Sequence, residues 1–216
     1  MIAICSAYKK ALVGVEINGK RGQRELDANS KHSENLLPTL SGLLDEMNVK
    51  LEDNDCYAVI VGPGSFTGIR IGIALVKGLY AGGDHRKKVL PITTFDLMAY
   101  SYMKNNKADK NFVCVINALS DLFFICEYDK TGKQISQEKM INKEEYDAIK
   151  MVKVCLEEEG VSDVCVNPSA DEFLSLALEK NNEKNYCEIN ELIPKYLRKS
   201  QAETTLEAKG EKINKK

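Results

Sequence analysis

The sequence predicts an α/β protein of two lobes that share one βββαβα plan. Three observations lead there. β-rich runs open the chain around two turn signals, helices and strands then alternate, and a similar order begins again near residue 112. A chain of 216 residues suits one large domain or two small ones and buries roughly 70% of its unfolded surface, so it needs no metal or disulfide staple.

The runs MIAICSA and ALVGVEI flank Tyr8-Lys9-Lys10 and read as a hairpin, and Asn18-Gly19 turns the chain into a third strand, RGQRELDA. Leu36, Leu37, Leu40, Leu43, Leu44 and Met47 recur at helical spacing, with Ser33 as a candidate cap and Pro38 past the first turn. CYAVIV is the unbroken apolar run of a strand buried on both faces. A glycine-rich loop leads into an apolar helix from Ile69, then a strand at KVLPI and a helix over residues 93–105. The second round reads NFVCVINA, DLFFICEYDK and KQISQEKMI as strands, with a turn at Thr131-Gly132. A helix through YDAIKMVKVCLEEEG, a strand VSDVCV and a helix DEFLSLALEK complete it. Laid without a gap, Ile4 falls on Ile116 and Leu12-Val13 on Phe124-Ile125. The polar KNNKADK stretch divides lobes at residues 1–105 and 106–206, and residues 207–216 read as a disordered tail.

Apolar residues are 44% and charged residues 29% of the chain, ordinary globular usage. No apolar run approaches a membrane span, and Lys9-Lys10 follow rather than precede the first apolar run, the wrong order for a signal peptide. The expected location is the cytoplasm. The net charge is −2, with 13 basic and 11 acidic residues up to Asn105 (+2) against 17 and 21 beyond it (−4). A protein that holds RNA by its own field carries a basic surplus, so nucleic acid contact is expected only alongside another protein. Seven cysteines without a Cys-x-x-Cys pair, four of them in apolar runs (Cys5, Cys114, Cys126 and Cys165), read as buried reduced thiols. His32 and His85 leave little material for a zinc site.

Gly62-Pro63-Gly64-Ser65-Phe66-Thr67-Gly68-Ile69-Arg70 leaves a strand and enters a helix, where backbone N–H groups and the helix dipole hold anions. It fails the Walker A pattern, which needs a lysine where none occurs before Lys77, and it fails G-x-G-x-x-G at Thr67. Pro63 also removes a donor. A tight turn whose glycines permit close packing fits better. The following helix has Arg70 and Lys77 as its only charges, so it packs on a sheet and is covered again, by a neighbouring helix or another chain.

VGPGSFTGIRIGIALVKGL, with KHSENLLPTL upstream and IPKYLRKSQAE downstream, resembles the TsaB (YeaZ) family. The match covers most of the first lobe and the approach to the C-terminus, and residues 105–190 fit by pattern only. The resemblance implies an actin/Hsp70-like (ASKHA) duplication of two ribonuclease-H-like lobes. It implies a non-catalytic partner of the transferase TsaD, working with the ATPase TsaE to place threonylcarbamoyladenosine beside the tRNA anticodon. It leaves room for a nucleotide at the interface with TsaD, for tRNA contact within the complex only, and for a homodimer in isolation.

Two departures bear on activity. The resemblance implies an Asp at the first hairpin of each lobe, as ATP-using members of the superfamily carry, where this chain has Cys5 and Asn117, with Leu119 in place of the family's Arg. A thiol and an amide supply no charge for Mg²⁺, which counts against the rival reading of an ASKHA ATPase or phosphotransferase acting alone. His32 lacks the mate of a His-x-x-x-His pair and reads as a packing or capping residue, and no protease motif is present. Lys195, Arg198 and Lys199 around Tyr196 form either a tRNA contact or a solvated face, with Tyr196 and Leu197 packed on the body. The expected partner surface is the row Leu36, Leu40, Leu43 and Met47 with the stripe Gly68, Gly72 and Val76, so that Gly72→Arg would leave the monomer folded and abolish association.

Overall fold

The computed structural model describes residues 1–83, 86–106, 108–157, 159 and 162–197. Its first sheet grows from the apolar runs at the start. β1 (Ile2–Cys5) and β2 (Ala11–Ile17) pair antiparallel, and β3 (Lys20–Leu26) adds to β2 across Asn18 and Gly19, both at positive φ. α1 (His32–Met47) crosses to β4 (Cys56–Gly62), α2 (Phe66–Ala81) to β5 (Lys88–Thr93), and α3 (Thr94–Asn105) closes the lobe. The order β3-β2-β1-β4-β5 leaves β1 and β4 central and entirely buried, which their unbroken apolar composition permits. Ser33 does not cap α1: its cap is Lys31, without a side-chain bond, and the helix runs on through Pro38.

The second sheet repeats the order. β6 (Phe112–Asn117), β7 (Leu122–Tyr128) and β8 (Lys139–Asn142) form the meander, then come α4 (Lys143–Ala148), β9 (Val152–Leu156), β10 (Val164–Val166) and α5 (Ala170–Glu183), giving β8-β7-β6-β9-β10. The helix expected through YDAIKMVKVCLEEEG is corrected here. Asn142 and Glu145 form a capping box that starts a short helix earlier, and the period-two alternation of Val152, Val154 and Leu156 belongs to β9. β8 likewise occupies only the end of KQISQEKMI, and Cys165, read as buried, is exposed. The gapless superposition fails by one residue: Ile4 lies opposite Val13, whereas Ile125 lies opposite Val115. The second hairpin connection, residues 118–121, is one residue shorter than residues 6–10.

Five layers result. α1 and α2 cover one face of the first sheet, α3 and α5 lie between the sheets, and α4 covers β7 and β8 from outside. A single core joins Ile4, Val59 and Phe95 to Phe112, Leu156 and Phe173, so the lobes share their interior. Glu172 is buried between α3 and α5, where Ser101 Oγ donates to it at 3.0 Å and Asn105 Nδ2 at 2.8 Å. Among the described residues no helix is long and apolar enough to cross a membrane.

Candidate functional site

The glycine-rich turn joins the buried end of β4 to α2, and Ser65 and Gly68 tie it to the rest of the chain. The Ser65 N–H donates to the Ala7 carbonyl at 2.6 Å, and the Gly68 N–H donates to Ser65 Oγ, which caps α2. Ser6 Oγ donates to the Gly68 carbonyl at 2.8 Å. A Cβ on Gly64 or Gly68 would fall well inside van der Waals contact of the Ala7 or Ser6 carbonyl oxygen. The glycines therefore let the first hairpin lie against the start of α2. This is a packing turn.

The motif also clasps the end of the described chain. The Lys195 N–H donates to the Val61 carbonyl at 2.7 Å, continuing from β4. Arg70 Nε donates to Tyr196 Oη at 2.7 Å while its guanidinium sits 3.8 Å from the centre of the Phe66 ring, and that ring stacks on Tyr196 at 4.9 Å. Leu197 packs against the core, and Lys195 Nζ pairs with Glu138 at 2.9 Å. Of the basic cluster, Lys195 and its neighbour Tyr196 are thus engaged by the body, and Arg198 and Lys199 lie outside the described residues, as do His85 and residues 207–216.

The row expected to meet a partner faces inward. Leu36, Leu40, Leu43 and Val76 are at most 2% exposed, Gly68 and Gly72 are buried, and half-buried Met47 lies against Gly22. A Cβ on Gly72 would meet Ser6 Oγ at 2.8 Å with Ile4 and Val59 behind it, so Gly72→Arg would disrupt the monomer itself. The physical reason is plain: a helix on a sheet spends its continuous apolar row on that sheet first. What the two helices leave outside is a different set. Leu37 is 53% exposed, Ala74 and Gly78 are exposed, Ile71 and Leu75 are half-buried, and a Cβ on Gly42 or Gly78 would meet nothing within 4 Å.

Between the hairpin of the first lobe and the end of β6 opens a cleft of about 680 Å³, lined among others by Lys9, Lys31, His32, Asn117 and Glu159. Asn117 Oδ1 accepts the Leu119 N–H, and its own N–H donates to Glu159 at 2.9 Å. Leu119 is 71% exposed at positive φ. Cys5 is fully buried, and His32 begins α1 with a buried Nε2. Among the described residues no group of three or more His, Cys, Asp or Glu side chains is placed for a metal. The two hairpin positions offer a thiol, Cys5, and an amide, Asn117, neither of which supplies the negative charge a magnesium ion prefers.

Known proteins share this arrangement. A solved structure from Pseudomonas aeruginosa, described as an uncharacterized protein with similarity to peptidase YeaZ, superposes with a TM-score of 0.76 at 25% identity, covering 91% of this chain and 98% of that one. The tRNA threonylcarbamoyladenosine biosynthesis protein TsaB of Haemophilus influenzae is 28% identical over 125 residues, 57% of this chain and 52% of the relative. TsaB of Escherichia coli is 28% identical over 100 residues, covering 46% and 42%. The chain thus spans about half the length of the curated relatives it matches. The family model for TsaD, tRNA N6-adenosine threonylcarbamoyltransferase, matches residues 26–153. That span is more than half of the chain and contains the whole glycine-rich turn, and the chain accordingly belongs to the TsaD family, on its TsaB (YeaZ) side.

Proposed function

We propose that this chain is a non-catalytic partner of the TsaD transferase in threonylcarbamoyladenosine modification of tRNA. The observation that carries the reading is the packing turn. The Ser65 N–H and the Gly68 C=O bind the chain's own hairpin, and the turn's glycines seat that hairpin closely against α2, which supports a contribution of shape and surface to an assembly rather than a nucleotide site. TsaE and tRNA belong to the same proposal, with tRNA met only within the complex because the chain's charge is −2. The chain binds no nucleotide alone and forms a homodimer when TsaD is absent.

The partner surface is the outer side of α1 and α2: Leu37 and Gly42 on one helix, Ala74 and Gly78 on the other, with Ile71 and Leu75 beside them. Small side chains there let a second pair of helices approach closely. The test is co-purification with TsaD followed by sizing of the complex. Gly78→Arg, at a position open to solvent, leaves the monomer folded with a melting midpoint no lower than the wild type's while the complex falls apart. A folded Gly78→Arg variant that elutes with TsaD at wild-type affinity removes this surface from consideration. Robust ATP hydrolysis by the isolated chain overturns the non-catalytic role.

A further inference from the structure

The second sheet ends in two thiols set side by side. Cys155 of β9 and Cys165 of β10 are opposite one another in the parallel ladder, with their Sγ atoms 3.5 Å apart. Neighbouring strands lie about 4.8 Å apart, within the Cα separation that a disulfide spans. Side-chain rotation alone therefore closes the pair to a bond of about 2.05 Å. Val154 and Leu156 point into the shared core, so Cys155 between them points to the other, outer face of the sheet. On the first sheet α2 covers the outer face of β4, with Gly72 seated over Val59. Among the described residues no helix stands between β9 and β10, and Cys165 is exposed on a three-residue edge strand while Cys155 behind it is buried.

We propose that Cys155 and Cys165 are an oxidisable dithiol site, closed to a disulfide by a peroxide and reopened by a small thiol. The Cys165 thiolate attacks one peroxide oxygen, the O–O bond breaks, and the thiol becomes a sulfenic acid as one water leaves. Cys155 then attacks the Cys165 sulfur, the S–O bond breaks, and a second water departs as the S–S bond forms. Two thiols give up two electrons and two protons, and the peroxide is reduced to two waters. The bond staples the edge strand from which α5 departs. α5 carries the contacts that hold the lobes together: the Ala170 N–H donates to Glu25 and Asp171 pairs with Arg21, each at 2.8 Å, and Leu174 lies against Gly14.

The molecule supplies its own control. Cys114 and Cys126 are also opposite one another, on β6 and β7, but both are buried. Burial pushes the Cys126 thiol up to about 11 and the Cys114 thiol well above its ordinary range.

The experiment treats the folded protein with hydrogen peroxide, blocks remaining thiols with iodoacetamide and digests with trypsin. Both cysteines fall in one peptide, from Val154 to Lys180. The expected product is that peptide, unalkylated and lighter by two hydrogens, restored by dithiothreitol, with Cys114 and Cys126 unchanged. Closing so short a loop raises the melting midpoint by roughly 5 °C. Cys165→Ser, an exposed and nearly isosteric change, melts like the reduced protein and gains nothing from peroxide. Alkylation of both thiols after treatment, Cys165 recovered only as sulfinic acid, or a bond from Cys165 to Cys187 would each overturn the proposal.

Discussion

The two sheets carry their strands in the same order but are covered differently. The first is faced by two full helices, α1 and α2, each of 16 residues, and the second by α4, of 6 residues, with no helix between β9 and β10 among the described residues. The strand order is kept even so: the shared core takes Phe112, Cys114 and Ile116 of β6 with Val154 and Leu156 of β9, and Val113 and Val115 are buried on the other face with Phe123 and Tyr146. What the extra helix adds in the first lobe is a surface. It brings the glycine turn, the clasp on the chain's end and the outer face of α2 to one side of the molecule.

The comparison breaks most sharply at Gly68. Gly68→Val drives a branched side chain into the Ser6 carbonyl, and we expect it to cost on the order of 4 kcal/mol or more, enough to unfold the first lobe. Glu159→Gln, in the connection between β9 and β10, is expected to cost under about 1 kcal/mol. Urea titrations of the two variants check the contrast, and near-equal midpoints would mean that the turn is no more constrained than its counterpart.

A pH titration tests what the lobes have in common. Burial raises the Cys56 thiol of β4 and the Cys126 thiol of β7 from 9.0 to about 11. Between those values the native state keeps protons that the unfolded chain gives up, so stability falls as pH rises through 9 to 11 and is untouched below 9. Cys126→Ala should remove part of that alkaline loss and Cys56→Ala another part. Urea midpoints on either side of pH 9 report it, and a flat profile would show that neither thiol is held in the dry interior.

A smaller effect belongs to the clasp. Tyr196→Ala removes the acceptor of Arg70 and the stacking partner of Phe66, and should lower stability by about 1 kcal/mol. Faster hydrogen exchange at the Lys195 N–H, now bonded to Val61, would accompany it. The smallest change has the opposite sign. Gly78→Ala sits in an open helical position and should stabilise the monomer by about 0.5–1 kcal/mol in thermal melts.

Much of this was legible in the residues. Asn18-Gly19 placed the first meander, the unbroken CYAVIV run placed a central strand, and the GPGSFTG stretch read correctly as a close-packing turn. The capping box at Asn142 and Glu145 was a local signal that would have separated α4 from β9. The neighbourhood of Arg70 and Tyr196 carried no such signal, since 126 residues separate partners that meet only in three dimensions.

Local pattern by itself determined which residues alternate, where the chain turns and which positions are apolar, because these depend on neighbours a few residues away. Which side of each helix faces home was decided only by the tertiary structure. Leu36 and Leu37 are equally apolar in sequence, yet one is 2% and the other 53% exposed, because the sheet that Leu36 meets is assembled from strands distant in the chain. The pairing of Cys155 with Cys165 has the same origin: ladder register, set by the shared core, puts two thiols together where the sequence shows only two cysteines ten residues apart.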